Sequence, residues 1–221
     1  MPRIPRIIIQ DYPHHVTQRG TNRSEIFSDN EDREFFLSTV KDYSNRTRIK
    51  VWAYCLMGNH FHLLLVPGSP DGLAKFLHGT SFRYAQYFNR KYERSGRLWQ
   101  NRYFSCPVDT DEYLWSVVRY IERNPIRSKL VAKAETWDWS SAKAHLKGEK
   151  DQFLSRPDWL TQEQRGDYIS FFNREGNDSP IRKATSTGRP LGGSNFTQKI
   201  GRMLGRDLTP KKGGRPKKGV L

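Results

Sequence analysis

Lys50 to Val66 is the stretch that leaves this chain the least freedom. Its first half, Lys50-Val-Trp-Ala-Tyr-Cys-Leu-Met57, is rich in β-branched and aromatic residues. Gly58-Asn59 is a turn dipeptide, and His60-Phe-His-Leu-Leu-Leu-Val66 is a second apolar run. Two such runs about a two-residue turn predict an antiparallel hairpin. Successive side chains of a strand point to opposite faces. His60 and His62 therefore share one face, and Phe61, Leu63 and Leu65 share the other. A lone hairpin is marginal in water, so the remaining chain must supply more sheet and helices to cover it.

The flanking segments read accordingly. Tyr12 to Arg19 is a first strand, followed by a basic turn, Gly20-Thr-Asn-Arg23. Ser28-Asp-Asn-Glu31 has the spacing of a capping box and opens a helix to about Arg48. Leu73, Phe76, Leu77, Thr80, Tyr84, Tyr87 and Phe88 recur at three and four, the stripe of an amphipathic helix. Leu98 to Val108 reads as a strand. Asp109 with Glu112 caps a helix to about Arg123, which Pro125 ends. The order β-α-β-β-α-β-α predicts an α+β chain: a ferredoxin-like antiparallel sheet with helices on it. Residues 1–150 form this domain and 151–181 a short helical extension around Trp159 and Phe171. Residues 182–221 form a basic linker and tail. Within this part, 174–195 reads as linker, 196–206 as a short helix, and 209–219 as flexible sequence with no core of its own.

Charge narrows the class of partner. Lys plus Arg total 38 of 221 residues against 23 Asp plus Glu, a net +15, of which residues 182–221 carry +10. With 13% aromatic residues to stack on bases, this excess favours nucleic acid over a small cationic substrate. Two cysteines, Cys55 and Cys106, rule out a disulfide scaffold and a four-cysteine zinc site. No apolar run approaches the length of a membrane span, and the three isoleucines at 7–9 are too few for a signal-peptide core. No membrane partner is expected, and the location expected is the cytoplasm, in association with the nucleoid.

Two groups of residues carry chemistry. The paired imidazoles of His60 and His62 can hold a divalent ion, or can pack as buried histidines bonded to backbone or water. The second group is Arg119-Tyr-Ile-Glu-Arg-Asn-Pro-Ile-Arg127. The buried stripe of its helix is Leu114, Val117, Val118 and Ile121, which sets Tyr120 at the stripe's edge with its hydroxyl available. Asn124 is four residues on, along the same side. Arg119, Arg123 and Arg127 make the surroundings electropositive, which favours a phenolate and a phosphate beside it. Tyr120 is thus a candidate nucleophile, or a boundary tyrosine that wets its hydroxyl.

Taken together, these groups resemble the HUH nucleases with a single catalytic tyrosine. Tyr12-Pro-His-His-Val-Thr-Gln-Arg-Gly-Thr-Asn-Arg23 is similar to that group's first strand and turn, and Met57-Gly-Asn-His-Phe-His62 to its metal motif. Gly96-Arg-Leu-Trp-Gln-Asn-Arg-Tyr103, Tyr120-Ile-Glu-Arg-Asn-Pro-Ile-Arg127 and Trp137-Asp-Trp-Ser-Ser141 resemble the REP-associated tyrosine transposases in particular. The resemblance spans about residues 5–147. It implies single-strand DNA endonuclease and strand-transfer activity of the transposase type: Tyr120 attacks a phosphodiester and forms a 5′-phosphotyrosine. It also implies Mg2+ or Mn2+ at His60 and His62, with Asn124 as third ligand, and palindromic repeat hairpins as substrate. The assembly implied is a monomer or a homodimer. The alternative is a domesticated protein that grips such hairpins without cutting.

Candidate DNA contacts are Arg19, Asn22, Arg23, Arg83, Arg97, Trp99, Gln100, Arg102, Arg123 and Arg127. Each is otherwise a solvated charge or, for Trp99, a core ring. His14 and His15 face opposite sides of their strand and lack a metal-like spacing. In the tail, Gly214-Arg-Pro-Lys217 resembles an AT-hook core, so Arg215 and Lys217 are candidates for the minor groove of A·T-rich duplex.

Overall fold

The computed structural model describes residues 5–155 and 159–208. The hairpin forms as its alternation predicts. Strand β2 (Ile49–Met57) pairs antiparallel with β3 (His60–Pro67) across Gly58-Asn59. Strand β1 (His14–Arg19) lies along the other side of β3, and β4 (Phe104–Pro107) lies along β1. The order β2-β3-β1-β4, all antiparallel, is the ferredoxin-like arrangement. A register shift between Val51 and Ala53 rephases β2. Val51, Tyr54 and Leu56 thereby face one side, and Trp52, Ala53, Cys55 and Met57 the other.

Helices α1 (Asn30–Thr47) and α2 (Gly72–Lys91) cover the first face. They bury Val16, Phe36, Phe61, Leu63, Phe76 and Tyr84 between helices and sheet. The capping box lies one residue later than the sequence suggested. Asp29 caps the Asp32 amide, and the Asp32 carboxylate reaches back to Asp29 N–H. Asp32 wins over Glu31 because it is fully buried under Tyr92, whose hydroxyl donates to it, and Lys91. Gly79 lies against the Tyr43 ring, where a Cβ has no room; α1 and α2 pack through this point.

The second face is closed by α3 (Leu114–Glu122), α5 (Ala142–Lys147), α6 (Arg165–Phe172) and α7 (Ser179–Thr187). Cys55, Leu64, Cys106, Val117, Ile121, Tyr168 and Ile181 form that core. The Trp137–Ser141 block runs along the outer edge of β2, where Leu56 N–H donates to Trp139 and Ser140 bridges to Cys55. A third, small cluster joins Ile7 and Ile9 to Phe196 and Ile200 of α8 (Ser194–Leu204).

Four local expectations are corrected. The strand read over 98–108 is interrupted. Trp99 bridges to Gly20 and Gln100 N–H donates to Arg19, but the chain then departs and rejoins β1 two residues out of register at Phe104↔Thr17. Asp109 and Glu112 do not cap α3. The Asp109 carboxylate accepts from the Asp111 amide, and α3 starts at Leu114 after Tyr113. Pro125 does not stop the chain's helical course. It occupies the first turn of a short α4 (Asn124–Arg127), where its missing N–H is not needed. Residues 174–195 are not a bare linker: they hold α7, and Leu191 bridges to Val108. Arg215 and Lys217 lie outside the described residues. Among the described residues, no helix is long and apolar enough to cross a membrane.

Candidate active site

The break between β1 and β4 opens a cleft of about 460 Å3 on the α3 side of the sheet. β3 lines it with His60 and His62, α3 with Tyr120, and the start of α4 with Asn124. Arg19, Arg23, Asn59, Gln100, Asn101 and Arg102 complete the rim, and no carboxylate is among the described lining residues. Tyr120, His60, His62 and Asn124, the candidates for chemistry read from the sequence, all line this one cleft. Tyr120 differs in one respect: its ring is 9% exposed and belongs to the core as well as to the cleft. It stands edge-on to His15 and to His62, 5.6 Å from each between centroids.

Hydrogen bonds determine which atom each side chain can offer. Asn59 Nδ2 donates to the Arg23 carbonyl, so its Oδ1 accepts from His60 Nδ1 at 2.6 Å. That leaves the lone pair of His60 on Nε2. Asn124 Nδ2 donates to the carbonyls of Tyr120 and Ile121, each at 3.0 Å, which leaves Oδ1 as the atom able to ligate. His62 Nδ1 lies 2.9 Å from His15 Nε2, so Nε2 is the nitrogen of His62 not engaged there. Two imidazole nitrogens and one amide oxygen suit a divalent ion. Among the described residues no three His, Cys, Asp or Glu side chains form a metal cluster.

All of these imidazoles are held neutral. Burial, with Arg19 and Arg127 nearby, lowers His60 to about 4. Burial first, then His15, His60 and Arg127, holds His62 well below the ordinary histidine value. Burial and Arg127 take His15 to about 3. A neutral imidazole is the form that can ligate a metal.

His15 is the site residue that the sequence reading missed. Its side chain lies on the His62 face of the sheet, diagonal to it across β1 and β3. Of the arginines near Tyr120, Arg127 stacks its guanidinium 4.2 Å from the ring centroid, donates to the Tyr120 carbonyl and pairs with Asp178 at 3.1 Å. Arg119 and Arg123 instead bind backbone carbonyls of Phe171, Phe172 and Arg174, so they fasten the end of α3 to the C-terminal end of α6 and the turn after it. Below Tyr120, Glu122 is fully buried and accepts from Ser141, His145 and Tyr168.

The candidate DNA contacts divide by place. Arg19, Arg23, Gln100 and Arg102 line the cleft. Arg97 and Trp99 lie in an adjoining groove with His78 and the exposed Phe82. Trp99 donates to the Ser81 carbonyl and packs edge-on against Phe61, the behaviour of a core ring. Asn22 is exposed in the turn after β1, outside the cleft lining. Arg83 pairs with Asp42 on the α1–α2 side, away from the cleft.

A solved REP-associated tyrosine transposase bound to a REP hairpin is similar in fold, with a TM-score of 0.56 at 15% identity, over 73% of this chain and 94% of that one. A candidate transposase from Deinococcus radiodurans R1 aligns at 20% identity over 55% of this chain and 97% of its own, with a TM-score of 0.39. No curated protein matches. The profile of the family described as "Transposase IS200 like" matches residues 9–124, which takes in β1, the His60/His62 strand, Tyr120 and Asn124. The chain belongs to the IS200-like transposase family.

Proposed function

We propose that the protein is a metal-dependent single-stranded DNA endonuclease and strand transferase with Tyr120 as its nucleophile. The observation that carries this is the meeting of Tyr120, His60, His62 and Asn124 in one cleft whose described lining holds no acid. Arg19, Arg23 and Arg102 bind DNA phosphates there. Gln100 and Asn101, on the chain that leaves the sheet, are within the same cleft and can meet bases. The Tyr120 oxygen bonds to the scissile phosphorus while the bond from phosphorus to the 3′-oxygen breaks. The phenolic proton leaves to water, and the departing oxygen takes one up. One phosphodiester replaces another, so rejoining needs no ATP. Nε2 of His60, Nε2 of His62 and Oδ1 of Asn124 would hold Mg2+ or Mn2+, which would supply Lewis-acid polarisation of the phosphate. The substrate we infer is a palindromic repeat hairpin, supported by the hairpin bound in the REP-associated structure of like fold.

A hairpin-bearing single strand from the flanks of the gene tests this on a denaturing gel. The wild-type protein is expected to form a covalent adduct with Mg2+ or Mn2+. Tyr120→Phe is expected to form none and to bind the hairpin within about two-fold. An adduct that persists in Tyr120→Phe overturns the nucleophile, and one that persists in excess chelator overturns the metal. Tight binding by the wild type with no adduct in either metal would leave the non-cleaving reading.

A further inference from the structure

We propose that Thr185 and His15 are positioning residues for His62, forming a buried chain of hydrogen bonds that selects its metal-binding tautomer. The inference rests on the proposed role of His62 as a metal ligand. Its starting point is a hydroxyl far away in sequence. Thr185 Oγ1, on α7, lies 2.8 Å from the Ile181 carbonyl oxygen and 2.8 Å from His15 Nδ1. The carbonyl brings no hydrogen, so the hydroxyl proton lies on that side, and the hydroxyl oxygen turns a lone pair to His15. His15 Nδ1 therefore carries the hydrogen of that contact.

The remaining assignments follow in order. A neutral His15 has a bare Nε2, and that nitrogen lies 2.9 Å from His62 Nδ1. His62 Nδ1 must then donate, and its own Nε2 is left with the lone pair. The two rings lie within 16° of parallel with centroids 5.1 Å apart, which is compatible with a bond in the plane of both. Opposite polarity at any step would set two lone pairs or two hydrogens face to face. His15, His62 and Thr185 are each at most 5% exposed, so water cannot relieve such a clash. Cys106 Sγ, 3.5 Å from Thr185 Oγ1, occupies the hydroxyl's remaining side.

The two imidazoles of the His60-Phe-His62 strand thus reach the same state by different means. His60 is oriented by its neighbour Asn59. His62 is oriented from α7, through two side chains. Outer contacts of this kind orient a metal-binding imidazole and raise its basicity. The bland alternative is a threonine that satisfies its own helix and a histidine that fills the core. It predicts no loss of tautomer when the hydroxyl goes.

Imidazole nitrogen spectra of the full, 15N-labelled, metal-free chain test the proposal, paired with Mn2+ titration. The wild type is expected to show His62 with hydrogen on Nδ1. Thr185→Val keeps the shape and removes the hydroxyl, and is expected to mix the tautomers of His15 and His62 and weaken Mn2+ binding about 10-fold or more. Thr185→Ser is expected to restore both. An unchanged His62 tautomer in Thr185→Val overturns the proposal. So does a wild-type His62 with hydrogen on Nε2, which needs no variant and decides the matter even if Thr185→Val does not fold. If the tautomers mix but Mn2+ affinity holds, the hydrogen-bond chain stands and the metal role of His62 fails.

Discussion

Glu122 is the most heavily used side chain beneath the site. It accepts from Ser141 Oγ at 2.6 Å, His145 Nδ1 at 2.5 Å and Tyr168 Oη at 3.0 Å, with none of its own surface exposed. Truncation strands His145 Nδ1 and the Tyr168 hydroxyl and leaves Ser141 only the Tyr54 carbonyl. Glu122→Ala is expected to cost about 3–5 kcal/mol in urea unfolding. His14 gives the fold a dependence on pH. Its Nε2 accepts from the Ile9 amide and its Nδ1 donates to Tyr12, so it must stay neutral, and burial lowers it to about 4. Between about 6.5 and 4 the unfolded chain binds a proton that the folded chain does not. Stability is therefore full above about 6.5 and falls as the pH drops toward 4, by about 3 kcal/mol from this residue alone. Unfolding midpoints from pH 7 to 4.5 measure it, and His14→Leu is expected to flatten the slope while lowering the midpoint at pH 7. The pairing of His60 with His62 was legible because a strand's period is two. His15 was not, because its partners are His62, across the sheet, and Thr185, 170 residues away.

At the scale of elements, periodicity located α2 and the hairpin, and a capping-box spacing located α1, while ends and interruptions escaped both. The capping box moved from Ser28 and Glu31 to Asp29 and Asp32 because burial, and not spacing, chose the carboxylate. The strand after Leu98 broke because its residues are drawn in two directions. Leu98 and Trp99 pack toward α2, and Gln100 to Arg102 turn to the cleft. No local pattern encodes that competition, yet it opens the room in which the site sits. The α1–α2 contact supplies a further prediction. Gly79→Val puts a branched side chain into the Tyr43 ring, a clash that outweighs the few tenths of a kcal/mol by which Val exceeds Gly in helix propensity. Thermal or urea unfolding is expected to show a loss of about 2 kcal/mol or more, while a substitution at the exposed Lys75 on the same helix changes little.

For the whole molecule, the segment after residue 150 matters most. Low hydrophobicity and scattered Gly, Ser and Pro made 174–195 look like a linker, because its few apolar residues, Ile181, Ala184 and Leu191, are spaced to dock on an existing core and not to form one. An active site held entirely before residue 150 would survive deletion of 182–221. With Thr185 bonded to His15, removal of 179–221 is expected instead to lower the melting temperature and abolish cleavage. Deletion of 209–221 alone is expected to leave cleavage of single-stranded hairpins intact. It removes Lys211, Lys212, Arg215, Lys217 and Lys218, and the loss of about four phosphate contacts lowers the salt slope of duplex binding by roughly 3.6. An A·T preference that vanishes with Arg215→Ala distinguishes an AT-hook from a plain basic tail. The position of β1 between β3 and β4 has a consequence in time. The first strand to leave the ribosome is the last to gain both neighbours, and at about 5–20 residues per second His15 waits roughly 10–30 s for Thr185 to be made. A nascent chain holds both histidines and the tyrosine well before the contact behind them exists, so the site comes into register only after Thr185 has been made.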